Sequence, residues 1–392
     1  MTSRFPSHVL TLFLFALTRL ATASPAQRIV DLTATDGTHL KATYFAAAKP
    51  GPGVLLLHQC NRQRKVWDGL AQQLADAGIH VLTFDYRGFG ESGGDRFEKL
   101  APDAARAQVQ RRPGDIDIAF EYLVSQPGVK RDKIGVGGAS CGVHNSVQTA
   151  LRHPEVKSLV LLSGSTDLSG RQFLRISPKL PAFLSVADDD EFAASILEIE
   201  WLYSLAASPE KRLAHYTTGG HGADMFPVHP DLPKKIVDWY VATLLKTPGK
   251  APGPKESPMI PQEVHVLDLI DQPGGAAKVS QTLEQARRNS PQAILFSEGV
   301  VNVMGYDHLQ AGDIKGGLEI LKLNAAAYPH SANAYDSLSD AFLADGQKDL
   351  AKQNAKRALD LLASDTTDPE QRRNAIRESA EQKLKQLGDA PQ

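Results

Sequence analysis

Residues 138–142 read Gly-Ala-Ser-Cys-Gly, a GxSxG arrangement placed between an apolar run (IGVGG) and a segment with helical spacing. A serine on so short a strand-to-helix turn is strained and presented outward, and glycines two residues to either side remove side chains that would strike neighbouring backbone. Ser140 is therefore a candidate nucleophile for attack on a carbonyl. A serine hydroxyl is weak near neutral pH, so it needs a base in hydrogen-bonding reach and an acid that holds that base in one tautomer. Candidates for both follow in the chain. His215, His221 and His229 are available as base, and Asp167, Asp188, Asp189 and Asp190 as acid. His221 sits in a glycine-flanked loop, TTGGHG, that is free to fold back, whereas His215 is expected to be buried within its strand and His229 lies between prolines. Cys141 fails as an alternative nucleophile on register, since a motif centred there would need glycine at Ala139 and Val143. Cys60 and Cys141 are the two cysteines of the sequence and belong to no CxxC or histidine-rich pattern, so neither a metal nor a cofactor is expected.

The elements that must hold these residues alternate. Two strand-like segments, RIVDLTATDG and THLKATYFAA, join at Asp36-Gly37 as a hairpin. Strand VLLL, a helix in which Val66, Leu70 and Leu74 recur at intervals of four, and strand HVLTFD follow. A helix over 115–125, strand KIGVGG, a helix from Ser140, strands SLVLLSG and PAFLSVA, a helix around 192–207, strand RLAHYTT and a helix over 232–245 complete the series. This order predicts an α/β class: a mostly parallel sheet with helices on both faces. The charged stretch 95–112 reads as an insertion, and about 17 residues between SLVLLSG and PAFLSVA are too few for a helical cap, which implies an open cleft.

Taken together, LLLHQCN, VLTFDYRGFGESGG, GASCG, VADDDEFA and GGHG resemble the α/β-hydrolase family, closest to its dienelactone-hydrolase-like and small esterase members, over residues 28–245. The chain order serine, acid, histidine matches that family's. The resemblance implies His221 as the base, and Asp190 as the acid from the spacing after strand PAFLSVA, with Asp188 and Asp167 as alternatives. It implies an oxyanion hole built from the backbone N–H of Cys141 and one from the turn after VLLL. There the sequence departs from the family: Gln59 stands where glycine is usual, so Cys60 takes the donor position, with Gln59 as the alternative. The two cysteines would then flank one oxyanion hole, either as a disulfide or as two packed thiols. His58, Asp85 and Arg87 read as structural, and His144 as a residue of the surface or behind the site.

Around this core the chain of 392 residues divides into residues 1–23, 24–246, 247–262 and 263–392. Arg4, the apolar run 9–17 and Ala21-Thr22-Ala23 predict a cleaved signal peptide and a periplasmic or secreted protein without a membrane span. Residues 247–262, TPGKAPGPKESPMIPQ, read as a linker. Beyond it, AGD and DGQ turns place Gly312 and Gly346 34 residues apart, the tetratricopeptide period, with Gly305 matched by Ser339, Gly317 by Ala351, and His308 where Phe342 stands in the next unit. Residues 263–289 should supply a third unit or a packing helix. A formal net charge of -2 gives no footprint for nucleic acid. The expected partner is a small ester or other acyl substrate, with a protein or peptide as the partner the repeats would take. The competing reading is a catalytically inactive scaffold that binds protein through those repeats.

Overall fold

The computed structural model describes residues 27–246, 249–253, 258–364 and 368–388, so the signal-type segment lies outside it. The strands are β1 (Gln27–Thr33), β2 (His39–Phe45), β3 (Gly51–Leu57), β4 (His80–Phe84), β5 (Val129–Ala139), β6 (Val156–Leu162), β7 (Ala182–Ala187) and β8 (Lys211–Tyr216). They form one sheet in the order β1-β2-β4-β3-β5-β6-β7-β8. The β1–β2 and β2–β4 pairs are antiparallel and the other five are parallel. Parallel strands share one direction, so the loops leaving β3, β5, β6, β7 and β8 gather along a single edge, where open α/β sheets carry their sites.

Strand alternation sorts the core into two layers. Val54 and Leu56 of β3 face α1 (Asp68–Asp76) and α7 (Asp231–Tyr240) through Leu70, Leu74, Ile236 and Trp239. Leu55 and Leu57 face the other way, toward Ile116 and Phe120 of α2 (Pro102–Ser125) and Val143 and Val147 of α3 (Cys141–Arg152). Every residue of β3, β4 and β7 is buried, as expected of strands covered on both faces. Two more helices follow β6 and β7, α4 (Leu168–Arg175) and α5 (Ala194–Leu205), and a short α6 (Met225–Val228) precedes α7.

One expectation is corrected here. Most of the supposed insertion at 95–112 is the first half of α2, which begins thirteen residues before the expected start at 115. Pro102 at the first turn costs no hydrogen bond, and the alanine- and arginine-rich run that follows favours helix, so the helix runs on through Pro113.

The second region is all helical: α8 (Gln262–Ile270), α9 (Gly275–Asn289), α10 (Glu298–Gln310), α11 (Ile314–Ala327), α12 (Ala332–Ala344), α13 (Lys348–Leu362) and α14 (Glu370–Gln386). The 34-residue step has a physical basis. Gly312 and Gly346 both take positive φ (84° and 77°) where α10 and α12 end. A side chain at Gly305 would strike Leu321, and in the next hairpin the Ser339 hydroxyl donates to the Ala351 carbonyl at 2.7 Å. His308, the odd residue of the comparison, is buried and tied by Nδ1 to Asp313 at 2.8 Å.

This helical region is packed against the sheet region. Val264, Leu267, Val301 and Met304 join the same apolar cluster as Ile199 and Leu202 of α5. Beside it, Arg171 on α4 pairs with Asp271 at 2.8 Å and Asp307 at 2.5 Å, while Arg175 pairs with Asp271 at 2.9 Å and with Asp268. Arg171 and Asp271 are almost fully buried, and a pair of that kind costs several kcal/mol when one member is removed because the other is left charged and unpaired.

Candidate active site

Ser140 sits at the end of β5 and caps α3 with φ 54° and ψ -123°, a sparsely populated backbone conformation that costs about 1–3 kcal/mol. Its amide donates to Leu162 O at 2.9 Å, fixing the turn against β6. The flanking glycines are required by space: a Cβ at Gly138 would lie 2.1 Å from Gly142 O, and one at Gly142 would lie 2.3 Å from Leu57 O. The turn is thereby pressed against the end of β3, and Ser140 itself is half-buried.

The turn after β7 carries the three aspartates, and each has a different partner. Asp190 places both carboxylate oxygens 2.9 Å from His221 Nδ1, with the acid side chain 0% and the imidazole 4% exposed. Asp189 accepts from the Gly220 amide at 2.8 Å. Asp188 lies 2.6 Å from His215 Nε2. His215 is exposed, contrary to the expectation of burial, because β8 is the edge strand and this side chain points out to Asp188 and Glu200. His229 bonds Thr218 O and stacks on Tyr216, and Asp167 is spent capping α4 through the Gly170 amide.

An Asp190 carboxylate on Nδ1 fixes the proton there and leaves His221 Nε2 as the acceptor. That nitrogen is buried and has no hydrogen-bond partner among the described residues. Gly222 explains how the loop comes so close: with φ 61°, a Cβ there would lie 3.0 Å from Ala139 Cβ, the residue before Ser140, and 2.7 Å from Gln59 Oε1. Gln59, singled out in sequence as an alternative oxyanion donor, has its side chain committed to this loop, accepting from Ala223 N at 3.0 Å and donating to His221 O at 3.4 Å. A glycine in that position could not make these bonds.

Cys60 and Cys141 are joined in a disulfide, with Cα atoms 5.9 Å apart. It ties the turn after β3 to the first residue of α3, directly after Ser140, so the two amides proposed for the oxyanion hole are covalently linked. His58 supports this turn from behind. It is buried, its Nε2 accepts from Tyr86 N at 3.1 Å and its Nδ1 bonds Gln59 O at 2.8 Å. Burial pushes its pKa down from 6.5 to about 4. The unfolded chain then takes up a proton that the native ring refuses, so stability is intact above about pH 6.5 and falls on acidification toward pH 4, by about 3 kcal/mol in all. Urea midpoints measured down this range should fall less steeply for His58→Gln than for the wild type; equal slopes would contradict the assignment.

Two residues near the site carried no sequence signal beyond their position. Phe192, 54% exposed, stands edge-on to His221 with ring centroids 4.7 Å apart. Ser163, after β6, is the other non-glycine residue at positive φ among those described (47°), and its buried hydroxyl has no partner. Asp85 and Arg87 hold the strand ends as expected, Asp85 accepting from Arg64 N at 2.7 Å and Arg87 pairing with Asp115 at 2.6 Å. His144 is half-buried, its Nδ1 3.4 Å from Thr166 Oγ1, and burial lowers its pKa. Among the described residues no group of three or more His, Cys, Asp or Glu could hold a metal ion, and no helix is long and apolar enough to cross a membrane.

Residues 48–187, from β3 to the end of β7, match the family profile described as serine aminopeptidase, S33. This match and the mostly parallel sheet covered by helices on both faces support an α/β-hydrolase fold for this region. The chain is 34% identical over 148 residues to an uncharacterized protein of Mycobacterium tuberculosis, covering 37% of this chain and 48% of the relative. It is 26% identical over 134 residues to a thiohydrolase of Aspergillus aculeatus, covering 33% and 39%. The matched segment thus spans about half the length, or less, of these curated relatives. Among solved structures, an esterase of Pyrococcus furiosus superposes with a TM-score of 0.46 at 19% identity, over 62% of this chain and 97% of that one. A dienelactone hydrolase of Anabaena variabilis does so with a TM-score of 0.47 at 20% identity, over 57% and 100%.

Proposed function

We propose that the protein is an exported serine hydrolase that cleaves carboxylic esters or related acyl substrates through an acyl-enzyme. The observation that carries this reading is the His221 imidazole: buried, oriented by Asp190, and left with a free acceptor nitrogen in a loop packed on the residue before a strained serine. Ser140 Oγ attacks the carbonyl carbon while its proton passes to His221 Nε2. The oxyanion that forms is held by the amides of Cys60 and Cys141, the latter at the positive end of α3. His221 returns the proton to the leaving alcohol, and water then repeats the sequence in reverse to release the acid. Export is supported by the signal-type sequence before residue 24 and by a disulfide, which persists in oxidising compartments.

The test is hydrolysis of short-chain p-nitrophenyl esters by the protein from residue 24 onward, beside Ser140→Ala. The reading expects turnover that falls at least about 10³-fold in the variant. A folded wild type without activity on any acyl chain length would count against it.

A further inference from the structure

Five arginines are buried among the described residues: Arg64, Arg87, Arg112, Arg171 and Arg212. Four of them have oxygen acceptors. Arg64 pairs with Asp85 and Glu91, Arg87 with Asp36 and Asp115, Arg171 with Asp271 and Asp307, and Arg212 bonds the carbonyls of Lys211, Pro252 and Gly253. Arg112 is the exception. At 4% exposure its one hydrogen bond among the described residues runs from Nη1 to Cys60 Sγ at 3.4 Å, and its Nε is buried with no partner among them. Asp115, one turn on along α2, has both oxygens engaged by Arg87. The guanidinium is held instead by rings, with Cζ 4.7 Å from the centroid of Tyr86, 5.8 Å from Phe97 and 5.9 Å from Phe89.

A guanidinium offers five donors and stays charged in proteins. Burying such a group without an anion is among the costliest things a fold does, and aromatic faces and one sulfur return only part of the lost hydration. Burial accordingly pulls its pKa down. The rings fix where the planar fork points without satisfying it, which leaves its donors for a ligand. The place is specific: the sulfur it touches belongs to the disulfide whose two residues carry the oxyanion donors proposed above, and both half-cystines remain half-buried rather than sealed.

We propose that Arg112 is a specificity-determining residue that receives a carboxylate carried by the substrate, so that the favoured substrates are esters with an anionic acyl or alcohol part. This rests on the serine-hydrolase reading for its location, though the binding it describes does not require turnover. A planar guanidinium takes a carboxylate through two parallel hydrogen bonds, and charge-assisted bonds of that kind raise affinity by about 10- to 100-fold.

The kinetic test compares p-nitrophenyl hydrogen glutarate with p-nitrophenyl pentanoate, for a carboxylate on the acyl side, and 4-carboxyphenyl pentanoate with phenyl pentanoate, for one on the alcohol side. The expected result is a kcat/KM preference of about 10- to 100-fold for one anionic ester, expressed in KM, that drops to near unity in Arg112→Met and returns in part in Arg112→Lys. Which pair shows the preference identifies the side that carries the charge. A binding test on Ser140→Ala protein needs no catalysis: glutarate or 4-hydroxybenzoate should raise Tm above the value in sodium chloride of equal ionic strength, and the added Arg112→Met change should remove the shift. Wild-type preference near unity in both pairs, together with no Tm shift from either anion, would overturn the proposal and leave Arg112 as a packing residue. An inactive enzyme whose Tm still responds through Arg112 would sustain the anion site while removing the hydrolase reading.

Discussion

Asp190→Asn should lower kcat for ester hydrolysis by about 10⁴-fold without unfolding the protein, while Asp188→Asn and Asp189→Asn should each change it by less than about tenfold. The contrast comes from where the three neighbouring carboxylates end. Asp190 is fully buried and gives both oxygens to His221 Nδ1, so the proton on that nitrogen is fixed and Nε2 can accept. An amide there would turn an N–H toward Nδ1, move the ring proton to Nε2, and make that nitrogen a donor where the proposed mechanism needs an acceptor. Asp188 bonds an exposed histidine on the edge strand, and Asp189 accepts one loop amide. Steady-state kinetics of the three variants, with circular dichroism to confirm folding, decides the matter. Equal losses in all three would mean that the turn, and not a specific carboxylate, is what catalysis needs.

The second large effect belongs to the disulfide. Replacing Cys60 and Cys141 together by alanine, or reducing the bond, should lower kcat by about 10²-fold or more while leaving KM nearly unchanged, because the link sets the spacing of the two amides proposed to act on the oxyanion and not on the bound ester. Stability should fall as well. The bond closes a loop with a sequence separation of 81 residues, for which chain entropy alone gives about 4 kcal/mol. Activity and Tm before and after dithiothreitol, with thiol release verified by mass, provide the measurement. A fully reduced protein with undiminished kcat would show that the two turns hold their positions without the bond.

The setting of the proposed nucleophile was legible because its requirements are local: two glycines, a strand before, a helix after. The choice among three consecutive aspartates was not settled by the residues alone, since each could occupy the same turn; the assignment of Asp190 rests on which partner each finds across the loop after β8. His215 misled because alternation marks which way a side chain points along a strand, not whether another strand lies beyond it, and β8 is the last in the sheet. The start of α2 was missed because the charged stretch 95–112 reads as an insertion, although it is rich in strong helix formers and the proline within the helix, Pro113, falls on an exposed position. The role of Gln59 had no local signal. It emerges only where its amide meets the backbone of residues 221 and 223, more than 160 positions away. The docking of α8 and α10 on α4 likewise depends on Arg171 meeting Asp271 and Asp307, partners at separations of 100 and 136 residues that periodicity cannot pair.

Covalent labelling tests directly whether the Ser140 hydroxyl is the attacking group. Folded protein treated with a fluorophosphonate and digested for mass spectrometry should carry one adduct, on the peptide containing Ser140, formed far more slowly in His221→Ala and absent in Ser140→Ala. An adduct on Ser163 or another serine, or none on a folded wild type, would contradict it.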